Sequence, residues 1–221
     1  MTIQEMHNLF RFLTNTVGNQ SYVSFEPEEI DLSINQYMRT FIKQRYGGLN
    51  IHKTGFEDTQ KRTDDLRRLV KNVNLSPAIS LDSKPNSAVV SLPDNYWFSI
   101  HEEAVCTIGS CENKRLPIIA RSHDQYNDFI HNPYQKPTKR KCVRMMREDY
   151  IEVIHDPTVT VTIVNLRYIK EPQEVSLTAG LDCELSSETH EEIVKGAAMF
   201  AMNLIGSNRN KPITDFTTIQ E

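Results

Sequence analysis

Three stretches gather residue types that could bind a metal or move a proton. His101-Glu102-Glu103, His123-Asp124, and the run Glu148, Asp149, Glu152, His155 and Asp156 each bring imidazole or carboxylate groups close together. A metal centre needs ligands at a spacing that one helix or strand can converge, and none of the three has it. In the last run, strand alternation puts Asp149 and His155 out of phase with Glu152 and Asp156. No metal is expected. A Cys-His nucleophile would draw on Cys106 or Cys142, yet neither opens a helix nor sits on a glycine elbow, so both read as buried thiols. The four cysteines, Cys106, Cys111, Cys142 and Cys183, match neither a dense disulfide scaffold nor paired zinc knuckles, and all are expected as reduced core thiols. The eight glycines are scattered, and Gly47-Gly48 follows a helical stretch instead of opening one, so no loop cradles phosphate. The chain is expected to need no cofactor and to be no enzyme.

One charged cluster carries more. Lys136, Lys139, Arg140, Lys141, Arg144 and Arg147 fall on an expected loop and the strand after it, with Cys142, Val143, Met145 and Met146 between them. The bland reading is a solvated hairpin whose arginine stems cover the core. The functional one is an electrostatic contact with DNA phosphates or an acidic neighbour. No aromatic residues interleave with the cations, which argues against stacking on single strands.

The whole chain has 221 residues, 38% hydrophobic and 24% charged, which suits a water-soluble protein with one good core. A formal charge of −4 exerts no general pull toward nucleic acid. No apolar run approaches a membrane span, and MTIQEMHNLF lacks the basic start and apolar centre of a signal peptide.

The elements follow from periodicity. Ile3, Met6, Phe10, Leu13 and Val17 make one helical stripe that Gly18 can stop. Pro27 opens a second helix, with Glu28, Glu29 and Asp31 at its positive end and Ile30, Ile34, Tyr37, Met38, Phe41 and Ile42 on its apolar face. A third is expected from Phe56 to Lys71, its mixed charges forming a solvated face or, as the alternative, a subunit contact. From Ser87 to Arg121 the period changes to two: SAVVSL, NYWFSI, EEAVCTIG and LPIIAR read as antiparallel strands. Ser122 and Gln125 suggest a capped short helix ended by Asn132-Pro133. KRKCVRMMR and DYIEVIH then read as strands before the longest one, Thr158 to Lys170. There Val159, Val161 and Ile163 lie on one face and Val164, Leu166 and Tyr168 on the other, which predicts a bulge near Ile163 and Val164. A brief VSL strand follows Pro172, and Ser186 or Ser187 is expected to cap a last helix bearing Ile193, Val194, Ala197, Ala201, Leu204 and Ile205. After Gly206 comes an arm in which Ile213, Phe216 and Ile219 recur every three residues, a spacing suited to anchoring on an adjacent subunit.

The expected fold is α+β: an antiparallel β core, sheet or sandwich, with N-terminal helices and one C-terminal helix. Within a single structural domain, residues 1–72 form the helical region, 73–185 the β core with a short inserted helix, 186–206 the C-terminal helix and 207–221 the extended arm.

The phrases PEEIDLSINQYMRTFIKQRYG, GFEDTQKRTDDLRRLV, LPDNYWFS, HNPYQKP and ELSSETHEEIVKGAAMFAM, in this order, resemble the head-to-tail connector and ring proteins in the neck of tailed bacteriophages, particularly crAss-like phages of gut Bacteroidales. The resemblance spans about Pro27 to Ile205. It implies a non-enzymatic virion protein, assembled in the host cytoplasm into a homo-oligomeric, twelvefold ring between portal and tail. The ring's partners would be the portal and other neck or tail proteins, with no membrane, and packaged DNA would pass through its channel in transient contact. The family brings no catalytic residues. The rival readings are a phage-encoded enzyme such as a nuclease, which needs a converging carboxylate site, and a small DNA-binding module, which needs a broader basic face.

Overall fold

A computed structural model describes residues 1–17, 25–47, 56–77 and 85–206. The chain divides into two units, Met1–Leu69 with Pro172–Glu221, and Val70–Glu171. Together they form an α+β protein with N-terminal helices, a seven-stranded sheet and a C-terminal helix.

The first unit is helical. Helix α1 (Ile3–Val17) buries Ile3, Met6 and Phe10, the spacing expected of its stripe. Helix α2 (Pro27–Tyr46) buries Ile30, Ile34, Met38, Phe41 and Ile42. Glu29 Oε2 closes its first turn by accepting the Glu26 N–H at 2.9 Å. Helix α5 (His190–Gly206) buries Ile193, Val194, Ala197, Ala198 and Ala201, whereas Leu204, expected on the same stripe, is exposed. Its small residues let α2 come close: a Cβ on Gly196 would lie 1.9 Å from Tyr37 Cζ, so glycine is held there despite its cost of about 1 kcal/mol in a helix. The cap falls later than Ser186 or Ser187, since Ile193 N donates to Thr189 O at 3.0 Å and the helix begins at His190.

The third helix is shorter than its charge pattern suggested. A 3₁₀ turn (Phe56–Asp58), α3 (Gln60–Leu66) and a second 3₁₀ turn (Arg67–Leu69) end the helical run, and strand β1 (Val70–Leu75) starts at once. Val73 and Leu75 find more apolar surface beside a neighbouring strand than one helix turn would offer them, a case of packing overriding local propensity. The expected VSL strand is absent too. Val175 has its peptide satisfied by a side chain instead: Asn35 Nδ2 donates to Val175 O at 3.0 Å, and Val175 N donates to Asn35 Oδ1 at 2.8 Å.

The second unit is the sheet. Its strands are β1, β2 (Ser87–Ser91), β3 (Tyr96–Ile108), β4 (Cys111–Ala120), β5 (Cys142–Arg147), β6 (Tyr150–Ile154) and β7 (Val159–Lys170), in the order β1-β7-β3-β4-β5-β6-β2. NYWFSI and EEAVCTIG, read separately from sequence, are one continuous strand. All seven strands feed one apolar cluster, including Val73 from one edge and Val90 from the other, so the sheet curls around its core. The expected phase switch in β7 is real. Val105 pairs with Ile163 while Cys106 pairs with Val161, which leaves Thr162 as the extra residue. Thr162 Oγ1 donates to Val105 O at 2.8 Å. The extra residue turns Val159 and Val161 inward on one side of it and Val164, Leu166 and Tyr168 inward on the other.

The β core is antiparallel at its other described pairings and mixed at one, because β4 and β5 run parallel, with Ile118 beside Cys142. A parallel neighbour needs a long crossover, and residues 121–141 supply it. Cys111 is also no core thiol: it is exposed after the β3–β4 turn, whereas Cys106, Cys142 and Cys183 are buried. Burial pushes the Cys183 thiol up to about 11.

Candidate partner-contact surface

The β4-to-β5 crossover carries most of the basic cluster. Ser122 begins it through its carbonyl, which accepts from Gln125 N at 3.2 Å, while its hydroxyl bonds Asp124 and holds that carboxyl below its usual range. A 3₁₀ turn (His123–Gln125) leads into helix α4 (Tyr126–His131). Phe129 of α4 is buried with Val143, Met145 and Ile154, and this packing fixes the crossover against the outer face of β5 and β6.

Beyond α4, Asn132 organises the chain. Its side-chain oxygen accepts from Tyr134 N at 3.0 Å, and its carbonyl accepts from Gln135 N and Lys136 N at 3.1 and 2.9 Å. Thr138 and Lys141 then pair across a two-residue turn whose tip is Lys139-Arg140, and Arg140 N donates to Thr138 Oγ1 at 3.3 Å. The loop is therefore ordered by its own backbone and presents a defined shape.

The six cations do not act together. Arg144 lies on the inner face of the sheet, where its guanidinium pairs with Glu102 of β3, and Glu102 also accepts from Ser99 Oγ. The Glu102 side chain is only 5% exposed and that of Arg144 17%, so this pair belongs to the interior. Lys141 Nζ donates to Tyr134 O at 2.7 Å and clasps the loop. Arg147 is exposed at the far end of β5. That leaves Lys136, Lys139 and Arg140 exposed on one loop. Lys139 and Lys136 lie near Asp156, whose carboxyl is held below its usual range first by the Thr158 hydroxyl, then by the Thr158 N–H, and least by those two charges.

One residue escaped the sequence reading. Tyr134 is 88% exposed, and it stands on the same loop as the three cations. The signal was Pro133 and Pro137 on either side, which hold the tyrosine off any strand or helix. Ile213, Phe216 and Ile219 lie outside the described residues.

The candidate ligand groups stay apart or are otherwise engaged. Glu103 pairs with Arg115 at 3.3 Å, His123 Nε2 contacts Met146 O, and Asp156 Oδ1 accepts from Thr158. Among the described residues, no three His, Cys, Asp or Glu side chains could hold a metal ion. No helix among the described residues is long and apolar enough to cross a membrane.

A family profile described as phage tail ring protein 3/4 matches residues 1–211, nearly the whole chain. The chain belongs to this crAss-like phage family. The ring protein is thus a structural component of the tail and of the virion. The family match takes in every described residue of the ring protein and stops just before the three arm hydrophobes. No curated protein matches it.

Proposed function

We propose that this ring protein sits in the head-to-tail connector, between portal and tail, as a homo-oligomeric twelvefold ring whose channel passes the genome, and that it works without catalysis. The observation that carries this reading is the family match over residues 1–211. The chain's own surfaces support it. A closed ring of identical subunits needs two different surfaces that fit each other. The ordered basic loop supplies one kind of surface, and the acid-rich helical unit another. A net charge of −4 also suits a channel through which DNA must slide without being gripped. Contact with DNA is transient, the ring's partners are the portal and neighbouring neck or tail proteins, and assembly takes place in the host cytoplasm. Ile213, Phe216 and Ile219 serve as anchors on an adjacent subunit, each contributing about 1.5 to 3 kcal/mol before ordering costs.

Cryo-electron microscopy of purified particles tests the placement. The expected result is a twelvefold ring of this chain between portal and tail. Its absence from particles, or a position distal to the neck, overturns the reading. Deleting residues 207–221 is expected to weaken assembly and leave the melting temperature of the isolated chain nearly unchanged. A truncated monomer that melts much earlier would show that the arm packs on its own subunit.

A further inference from the structure

The two units carry different charge. Val70–Glu171 holds 13 Lys and Arg against 12 Asp and Glu, whereas the helical unit holds 12 against 17. The sheet unit's loop tip, Lys139-Arg140 with Lys136, concentrates cations that no described carboxylate fully neutralises, because Asp156 is a single group facing two of them. Beside these cations stands Tyr134, 88% exposed on a loop whose backbone is tied down. Tyrosine and arginine on a rigid support are the residue types that anchor protein interfaces, since they bury large area with little loss of conformational freedom.

A matching surface exists on the helical unit. On α2, Leu32 is 67% exposed, and Glu28 lies one turn before it on the same face with Glu29 alongside, both exposed. An apolar side chain flanked by carboxylates is the complement of an aromatic ring flanked by cations.

We propose that the 132–141 loop of one copy docks on the Glu28–Leu32 face of α2 in the next copy, with Tyr134 on Leu32 and Lys139 and Arg140 on Glu28 and Glu29. The contact is heterologous, loop to helix, and therefore repeats around a ring. It rests on the ring reading above and names the surfaces that close the ring. DNA is the weaker partner for this loop. Arg144 is turned inward onto Glu102 and Lys141 onto its own loop, so what remains is a narrow knob, whereas phosphate binding requires a track of cations along a groove.

Zero-length carbodiimide coupling of lysine to carboxylate in purified particles, followed by peptide mass spectrometry, tests this. The expected products join Lys136 or Lys139 to Glu28 or Glu29 and are absent from the dilute monomer. Coupling of the loop only to another tail protein, its capture by DNA under formaldehyde, or the same Lys-Glu product in the monomer would each overturn the proposal. Charge reversal provides a second arm. Lys139→Glu, or Glu28→Lys, should each impair incorporation into particles, and the two changes in one chain should restore it, because every interface then regains opposite charges; Glu29 is left in place because it caps α2. Failure of the double variant to regain incorporation counts against the pairing. A chain absent from wild-type particles would instead sink the ring reading itself.

Discussion

In the helical unit Arg45 ties three elements together, whereas in the sheet unit Arg144 ties strands already held through their backbones. Arg45 of α2 lies 3.1 Å from Asp65 of α3 and 2.6 Å from Glu192 of α5, and its guanidinium stacks 4.8 Å above the Phe41 ring. Arg144 of β5 meets Glu102 of β3, two strands linked by hydrogen bonds through β4. Helices satisfy their own backbone groups and leave side chains to join them, while strands are joined by the ladder itself. The irregular stretch after Pro172 shows the same dependence: Asp31 accepts from His7 Nε2 at 2.7 Å and from Leu177 N at 3.0 Å, and Asp182 accepts from Ile3 N at 2.7 Å. Side-chain polar groups are therefore structural in the helical unit to a degree that they are not in the sheet.

Removing Arg45 should show this most strongly. Arg45→Met strands the buried Asp65 carboxylate beside Glu192, and a loss of about 3–5 kcal/mol is expected from denaturant unfolding. Burial already pushes the Asp65 carboxyl above its usual range, so the native state of the variant takes up a proton more readily than the unfolded chain does. Its deficit should therefore shrink as pH falls and be largest near neutrality. A deficit that does not change with pH would place the cost in lost Arg45 packing on Phe41 instead.

Glu102→Gln is expected to cost less, about 2–3 kcal/mol, because the ladder still holds β3 and β5 and the remaining Arg144 charge lies nearer solvent. The double change Glu102→Leu with Arg144→Met should recover most of that loss, since an apolar pair of similar volume suits the cluster around it. If Glu102→Gln proved as damaging as Arg45→Met, the contrast between the two units would fail.

The smallest effect concerns His190. Its Nδ1 and Nε2 lie 3.1 Å from Met1 O and Leu185 O, and burial holds the imidazole below its ordinary value. The folded state therefore favours the neutral ring. Stability from this residue is complete above the unfolded value of about 6.5 and is lost as pH falls through it toward the folded value. The slope can reach at most about 1.4 kcal/mol per pH unit, the limit for one proton. His190→Gln should flatten it in thermal melts between pH 7 and pH 5, and an unchanged slope would assign it to another group.

The helical stripes of α1, α2 and α5 were legible because 3.6-residue periodicity needs no partner to be read. The Thr162 bulge was legible for a similar reason, since an alternating strand whose apolar phase flips must gain or lose one residue. The cation cluster was legible as composition but not as a site. Nothing in CVRMMR says that Arg144 turns inward, because the ion that holds it there lies on another strand.

By itself the sequence determined most of the element types, the apolar faces of the first two helices and the α+β class, all of which follow from local spacing and side-chain character. Only the tertiary structure decided that β4 and β5 run parallel, that a helical run yields to β1 at Val70, that Cys111 is exposed, and that three cations and Tyr134 share one surface. The parallel pairing and the β1 strand depend on neighbours distant in sequence, as does the inward turn of Arg144 onto Glu102, and burial or charge pairing with such a neighbour outweighs the local preference of a few residues.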